Sequence, residues 1–166
     1  MFIIDSSRDI PECIVGFSLG MRKESAGAVN EALGMEVNMF LSGWPRPVPL
    51  ILQHEIASCV NGPRIMKAKV IEKHRDDGAY LDTREVGVQA WLTMRENGWK
   101  TCVVLAHKDH AERCAAVMRK LGAVVTGTIT TNVYDRLSTQ WWTTYRFLFV
   151  PANAYAMYKY RKKGWI

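Results

Sequence analysis

The passage at 101–125, TCVVLAHKDHAERCAAVMRKLGAVV, constrains the fold more than any other stretch. Cys102-Val103-Val104-Leu105 is a short apolar run rich in β-branched residues, the composition of a buried strand. A helical pattern follows Ala106-His107 at once. Ala111, Cys114, Ala115, Met118 and Leu121 recur at three- and four-residue spacing and define one apolar face. Gly122 is placed to cap the helix, and Ala123-Val124-Val125 opens another strand. Strand, helix and strand in so short a stretch make a βαβ unit, which requires a parallel sheet with a crossover helix. The polar residues His107, Asp109, His110 and Arg113 fall at the carboxyl end of that strand and in the first helical turns. Open α/β sheets bind their ligands there.

Other segments fit the same plan. Phe2, Ile3 and Ile4 suit a short edge strand within a lead-in at 1–12. The segment 13–20, CIVGFSLG, is a strand ending in a glycine-containing loop. There Gly16, Ser18 and Gly20 are either turn residues or a cradle for a phosphate or carboxylate. Their spacing is not the G-x-G-x-x-G dinucleotide pattern. A helix is predicted at 23–42, with Ala28, Ala32, Met35 and Met39 on its buried face and Val29, Leu33 and Phe40 able to widen it. Strands are predicted at 49–55, ending in His54 and Glu55, and at 64–72. Asp82-Thr83-Arg84-Glu85 opens a helix reaching Asn97, with an acidic N-cap followed three residues later by Glu as in a capping box. Val88, Trp91 and Leu92 form its expected apolar side. An extended, threonine-rich run at 126–134 precedes the paired Trp141 and Trp142, read as wedges that pack the last segment onto the core. A final helix is expected at 152–163 with Pro151 in its first turn.

Length and composition set the outer bounds. With 166 residues, 48% hydrophobic and 23% charged, the chain is expected to be one globular domain with a real core. A net charge of +6 admits anionic partners. The basic residues read as scattered apart from Lys159, Arg161, Lys162 and Lys163, so nucleic acid is not the expected partner. Cys13, Cys59, Cys102 and Cys114 form no C-x-x-C pair. No apolar run approaches the roughly 18–20 residues that span a bilayer, and no export pattern opens the sequence, so a cytoplasmic protein without a membrane span is expected.

Several stretches together resemble the YdcF-like family, a domain of unknown function. That family carries a Thr-x-Glu motif at a helix start and, after the next strand, a Thr-Ser-x-x-His-x-x-Arg-Ala type motif. Asp82-Thr83-Arg84-Glu85 is similar to the first, and the run Ala106-His107-Lys108-Asp109-His110-Ala111-Glu112-Arg113-Cys114-Ala115 is similar to the second. Thr83, Glu85, His110 and Arg113 match the motif positions. Val86 replaces the usual asparagine, and Ala106-His107 replaces Thr-Ser, which marks a divergent member. The resemblance implies a Rossmann-like three-layer α/β sandwich with a mostly parallel sheet of about five strands. It also implies a small polar or anionic ligand, and S-adenosylmethionine has been associated with the family.

These readings converge on one site. A small anionic or nucleotide-like molecule is expected at the carboxyl edge of the sheet, held by Gly16, Ser18, Gly20, His54, Thr83, Glu85, His107, His110 and Arg113. His110 is the acid/base candidate and Arg113 the anion clamp, with transfer or hydrolysis the open reaction classes. No metal is expected, because the His107/His110 pair, even with His54, Glu55 or Glu72, matches no ligand spacing. The rival is a non-catalytic module that senses a metabolite or docks a partner through the basic, aromatic carboxyl end.

Overall fold

A computed structural model of the chain describes residues 2–4, 11–44, 46–61, 68–76 and 78–166, with only the backbone of 2–4. The strands are β1 (Phe2–Ile4), β2 (Cys13–Gly16), β3 (Leu50–Gln53), β4 (Lys69–Ile71), β5 (Thr101–His107) and β6 (Val124–Thr131). The helices are α1 (Ala28–Ser42), the single turn α2 (His54–Ala57), α3 (Thr83–Glu96), α4 (Lys108–Leu121) and α5 (Arg146–Lys162), with a 3₁₀ turn at Trp141–Thr143. The sheet order is β1-β6-β5-β2-β3-β4. β2 to β6 run parallel, and β1 pairs antiparallel with β6 at one edge.

Alternation along the central strands builds the two cores. Ile14, Leu50, Leu52, Val103 and Leu105 pack with Val29, Leu33, Val37 and Phe40 of α1. Val15, Ile51, Cys102, Val104 and Ala106 pack on the other side with Val86, Ala90 and Met94 of α3 and Cys114, Ala115 and Met118 of α4. Strands buried on both faces explain why they read as continuous apolar runs. The result is a three-layer, Rossmann-like sandwich. β2 leads outward through β3 to β4, then the chain returns to the other flank of β2 for β5 and β6. The order reverses between β2 and β5, and their carboxyl ends frame the crevice in which such sheets bind ligands.

Several sequence expectations are corrected. α1 starts at Ala28 because Asp135, salt-bridged to Arg22, accepts the Ala28 N–H at 3.1 Å and so caps the helix from a distant loop. Its buried face is the Val29–Leu33–Val37–Phe40 side, and Met35 and Met39 are exposed. Of the expected apolar side of α3, Trp91 packs half-buried against the core, Val88 is half-buried and Leu92 is exposed. The helix buries Val86, Gly87, Ala90 and Met94, because a Cβ on Gly87 would stand 2.6 Å from Val117 of α4 and only a small residue permits that approach. α5 begins six residues before the expected start, with Pro151 in its interior. Trp141 is 65% exposed and Trp142 36%, so neither is a core wedge. The strand expected at 64–72 appears as β4, and residues 62–67 lie outside the described residues.

Candidate functional site

The end of β5 is built around two buried histidines with different duties. At His107 the strand passes directly into α4, and the ring becomes the helix cap: Nδ1 accepts the Asp109 N–H at 3.2 Å. The ring is fully buried against Tyr134, at 4.4 Å between centroids, and Phe149. Burial pushes its pKa down to about 4, so it is neutral. His107 therefore supports the helix start and does not line the crevice.

One turn on, His110 and Arg113 share a helix face, as their three-residue spacing requires. Thr83, the first residue of α3, meets them from the neighbouring helix. Its Oγ1 lies 3.1 Å from His110 Nε2, and an Arg113 terminal nitrogen lies 2.9 Å from the same atom. Arginine only donates, so Nε2 is the acceptor and the ring proton resides on Nδ1. Burial, followed by the adjacent Arg113 charge, holds the His110 pKa well below its ordinary value. His110 is thus a neutral imidazole whose single acceptor position is already engaged. Its Nδ1 and the Nε of Arg113 are both buried without a hydrogen-bond partner among the described residues. No carboxylate pairs with Arg113 among the described residues.

These groups line the floor of a cleft of about 690 Å³, within the size range of small-molecule sites. Ser18, Gly20, Thr83, His110 and Arg113 all border it. Of its walls, only Glu55 is expected from the end of a strand. Gln53 and Glu55 come from the β3–α2 junction, Tyr80 and Asp82 from the approach to α3, and Trp142 from the 3₁₀ turn. Asn153, Lys159 and Tyr160 come from the inner face of α5, with Lys163 and Trp165 just beyond it. The one available signal was the basic, aromatic carboxyl end. The Arg113 guanidinium sits 5.7 Å from the Tyr160 ring centre, and Lys163 sits 4.3 Å from that of Trp165. Cations and rings thus occupy one side of the cleft together.

Four expected site residues are elsewhere. Gly16 is inside the sheet, where a Cβ would stand 2.6 Å from Leu52, so it answers to packing. His54 is exposed on α2 and lines a second, smaller depression of about 350 Å³, because the chain turns into a helix at that residue, while Glu55 borders both it and the cleft. His107 is the buried cap already described. Glu85 is buried behind the first turn of α3 and is gripped by Arg75 through its Nε at 2.7 Å, a terminal nitrogen at 3.1 Å and the backbone N–H at 3.3 Å. Burial raises its pKa, but the hydrogen bonds from Arg75 and Gln89 outweigh that and bring it to about 2. Glu85 thereby anchors the segment at 73–76, one lip of the cleft. The capping box forms in one direction: Asp82 accepts the Glu85 N–H at 2.9 Å, while the Glu85 carboxylate is spent on Arg75.

The β2 loop also differs from a phosphate cradle. The Phe17 N–H donates to Leu105 O at 2.8 Å, the Ser18 N–H to Gln53 Oε1 at 2.8 Å and the Leu19 N–H to Asn30 Oδ1 at 3.1 Å. Those donors are consumed within the protein.

Among the described residues no cluster of three or more His, Cys, Asp or Glu side chains could hold a metal ion, and no helix is long and apolar enough to cross a membrane. Comparison of the chain with family models, curated proteins and solved structures returns no match.

Proposed function

We propose that the protein binds a small anionic, nucleotide-like molecule in this cleft, as a divergent relative of the YdcF-like family. One observation carries the reading. Arg113 stands at the switch-point crevice with no carboxylate partner among the described residues, its Nε unpaired, beside a neutral His110 whose Nδ1–H is also unpaired. A phosphate or carboxylate supplies the acceptors that both groups lack, and charge-assisted bonds to arginine are among the stronger ones available. The rings of Trp142, Tyr160 and Trp165 give a heterocycle a surface to lie against, and Lys159 and Lys163 extend the positive field. The kinship is supported by the meeting of Thr83 with His110 and Arg113, residues from the two motifs that carry the resemblance.

The experiment is a thermal-shift and calorimetric titration of the full chain with nucleotides, S-adenosylmethionine, sugar phosphates and inorganic pyrophosphate. The expected result is a saturable stabilisation by a phosphate- or carboxylate-bearing ligand, weakened at least about tenfold in Arg113→Gln, in line with loss of a charged hydrogen bond. Undiminished binding in that variant contradicts the site.

A catalytic reading is favoured by one contact, the Thr83 hydroxyl at 3.1 Å from His110 Nε2. A ligand anion that draws Arg113 away leaves Nε2 to Thr83 alone, which makes the pair a hydroxyl with an adjacent base. Turnover of the bound ligand that is lost in Thr83→Val with binding intact supports transfer or hydrolysis. Binding without turnover supports a sensing role.

A further inference from the structure

The charge of the chain is less scattered than its overall composition suggests. Six of the 22 basic residues and none of the 16 acidic ones lie in 136–166, so the preceding 135 residues balance at sixteen each. The whole net charge of +6 resides in this last segment, which also holds nine of the 17 aromatic residues. Its main element, α5, has two faces. Phe149, Asn153, Ala156 and Tyr160 turn toward the core and cleft. Phe147, Val150, Ala154 and Tyr158 recur at helical spacing on the opposite side and are exposed, Phe147 by 71% and Tyr158 by 61%. Arg161 and Lys162 continue that side at its carboxyl end, and the exposed Trp141 and Tyr145 flank its start.

We infer that this outer face of α5 seats the protein on a lipid surface containing anionic headgroups. α5 as a whole is not amphipathic, because its inner face is apolar and packs on the protein, but its exposed stripe of Phe147, Val150 and Tyr158, ending in Arg161 and Lys162 and flanked by Trp141 and Tyr145, presents the residue types that favour the membrane interface. Arg146 is paired with Asp109, but Arg161 and Lys162 have no carboxylate partner among the described residues and supply the charge complementarity, since basic residues near an anionic leaflet each add attraction. A second copy of the chain is a poor occupant, because it would set two such faces of like charge together. A single-stranded nucleic acid is disfavoured by the shape: the face is a convex helix, and Val150 and Ala154 offer no ring for a base to stack on. The inference is independent of the ligand reading, because Phe147, Tyr158, Arg161 and Lys162 do not line the cleft.

The test is co-sedimentation of the full chain with vesicles of phosphatidylcholine alone and with about one-third phosphatidylglycerol, at low and high salt. Binding to the anionic vesicles is expected, with weaker binding at high salt and to neutral vesicles. Phe147→Glu/Tyr158→Glu and Arg161→Gln/Lys162→Gln should each reduce partitioning at least about tenfold, with unchanged circular dichroism and unchanged cleft-ligand response. Failure to bind anionic vesicles, or undiminished binding by the Phe147→Glu/Tyr158→Glu variant, overturns the inference. So does tighter binding to a single-stranded oligonucleotide through these residues, or a dimer in sedimentation velocity that this variant dissolves.

Discussion

The two strand ends that frame the crevice solve the same problem in opposite ways. After β2 the first three backbone donors, on Phe17, Ser18 and Leu19, are all taken within the protein. Asn30, fully buried, accepts from Leu19 N–H and donates to the carbonyls of Gly20 and Ala26 at 2.9 and 2.7 Å, while Gln53 takes the Ser18 N–H. After β5 the accounting is incomplete, for His110 Nδ1 and Arg113 Nε are buried and unpaired. A buried polar atom without a partner costs about 1–3 kcal/mol; His107 Nε2 is unpaired as well but lies away from the cleft, whereas His110 and Arg113 border it. The glycine-bearing loop borders the cleft through Ser18 and Gly20, but its first backbone donors are spent inside the protein. The helix start after β5 is the end with bonding capacity to spare.

The sharpest way to break this comparison is Asn30→Leu, which strips the β2 loop of its internal partners. It should destabilise the protein by about 4 kcal/mol in urea unfolding, since three bonds at a buried site are lost together. A loss under about 1 kcal/mol would mean that the loop is not held as described. The next largest effect concerns pH. Burial keeps His107 near a pKa of 4, below its ordinary value of 6.5. The unfolded chain takes up a proton between those values and the folded one does not. Stability should therefore fall as pH drops from about 6.5 toward 4, by up to about 3 kcal/mol. His107→Asn retains an acceptor for the helix start but does not titrate, so in denaturant titrations at stepped pH it should make this profile shallower, leaving the part that the equally buried His110 contributes. Arg113→Gln, whose amide can still donate to His110 Nε2, should cost no more than about 2 kcal/mol of stability, while weakening the ligand-induced rise in melting temperature in line with a roughly tenfold loss of affinity. Ser18→Ala should change neither stability nor ligand affinity by more than about 0.5 kcal/mol. A large loss of affinity there would move the site to the β2 loop.

The legible parts of the molecule were those in which one local signal decides the outcome. Asp82 as a cap, the buried stripe of α4 and the Gly122 terminus, at a φ of 108°, follow from neighbours within a few residues. The misread parts depend on partners far along the chain. α1 begins where Asp135 caps it, 107 residues away, and periodicity carries no trace of that contact. Trp91 packs half-buried against the core as expected, but the centre of the buried face of α3 lies at Val86, Gly87, Ala90 and Met94 and not at Val88 and Leu92, because the approach to α4 at Gly87 selects small size. The floor of the cleft was found because His110 and Arg113 lie in one helical turn of a recognisable unit. Its walls, apart from Glu55, were missed because Gln53, Tyr80, Trp142 and Lys159 are gathered from four separate elements and loops.

The most direct test of the contrast between the two strand ends is heteronuclear NMR of the full chain during titration with the ligand identified by thermal shift. The account predicts saturable, large movement of the Arg113 Nε–H and His110 Nδ1–H resonances, with only small shifts of the Phe17, Ser18 and Leu19 amides, whose donors stay bonded within the protein. Saturable movement of those amides with Arg113 and His110 undisturbed would contradict it.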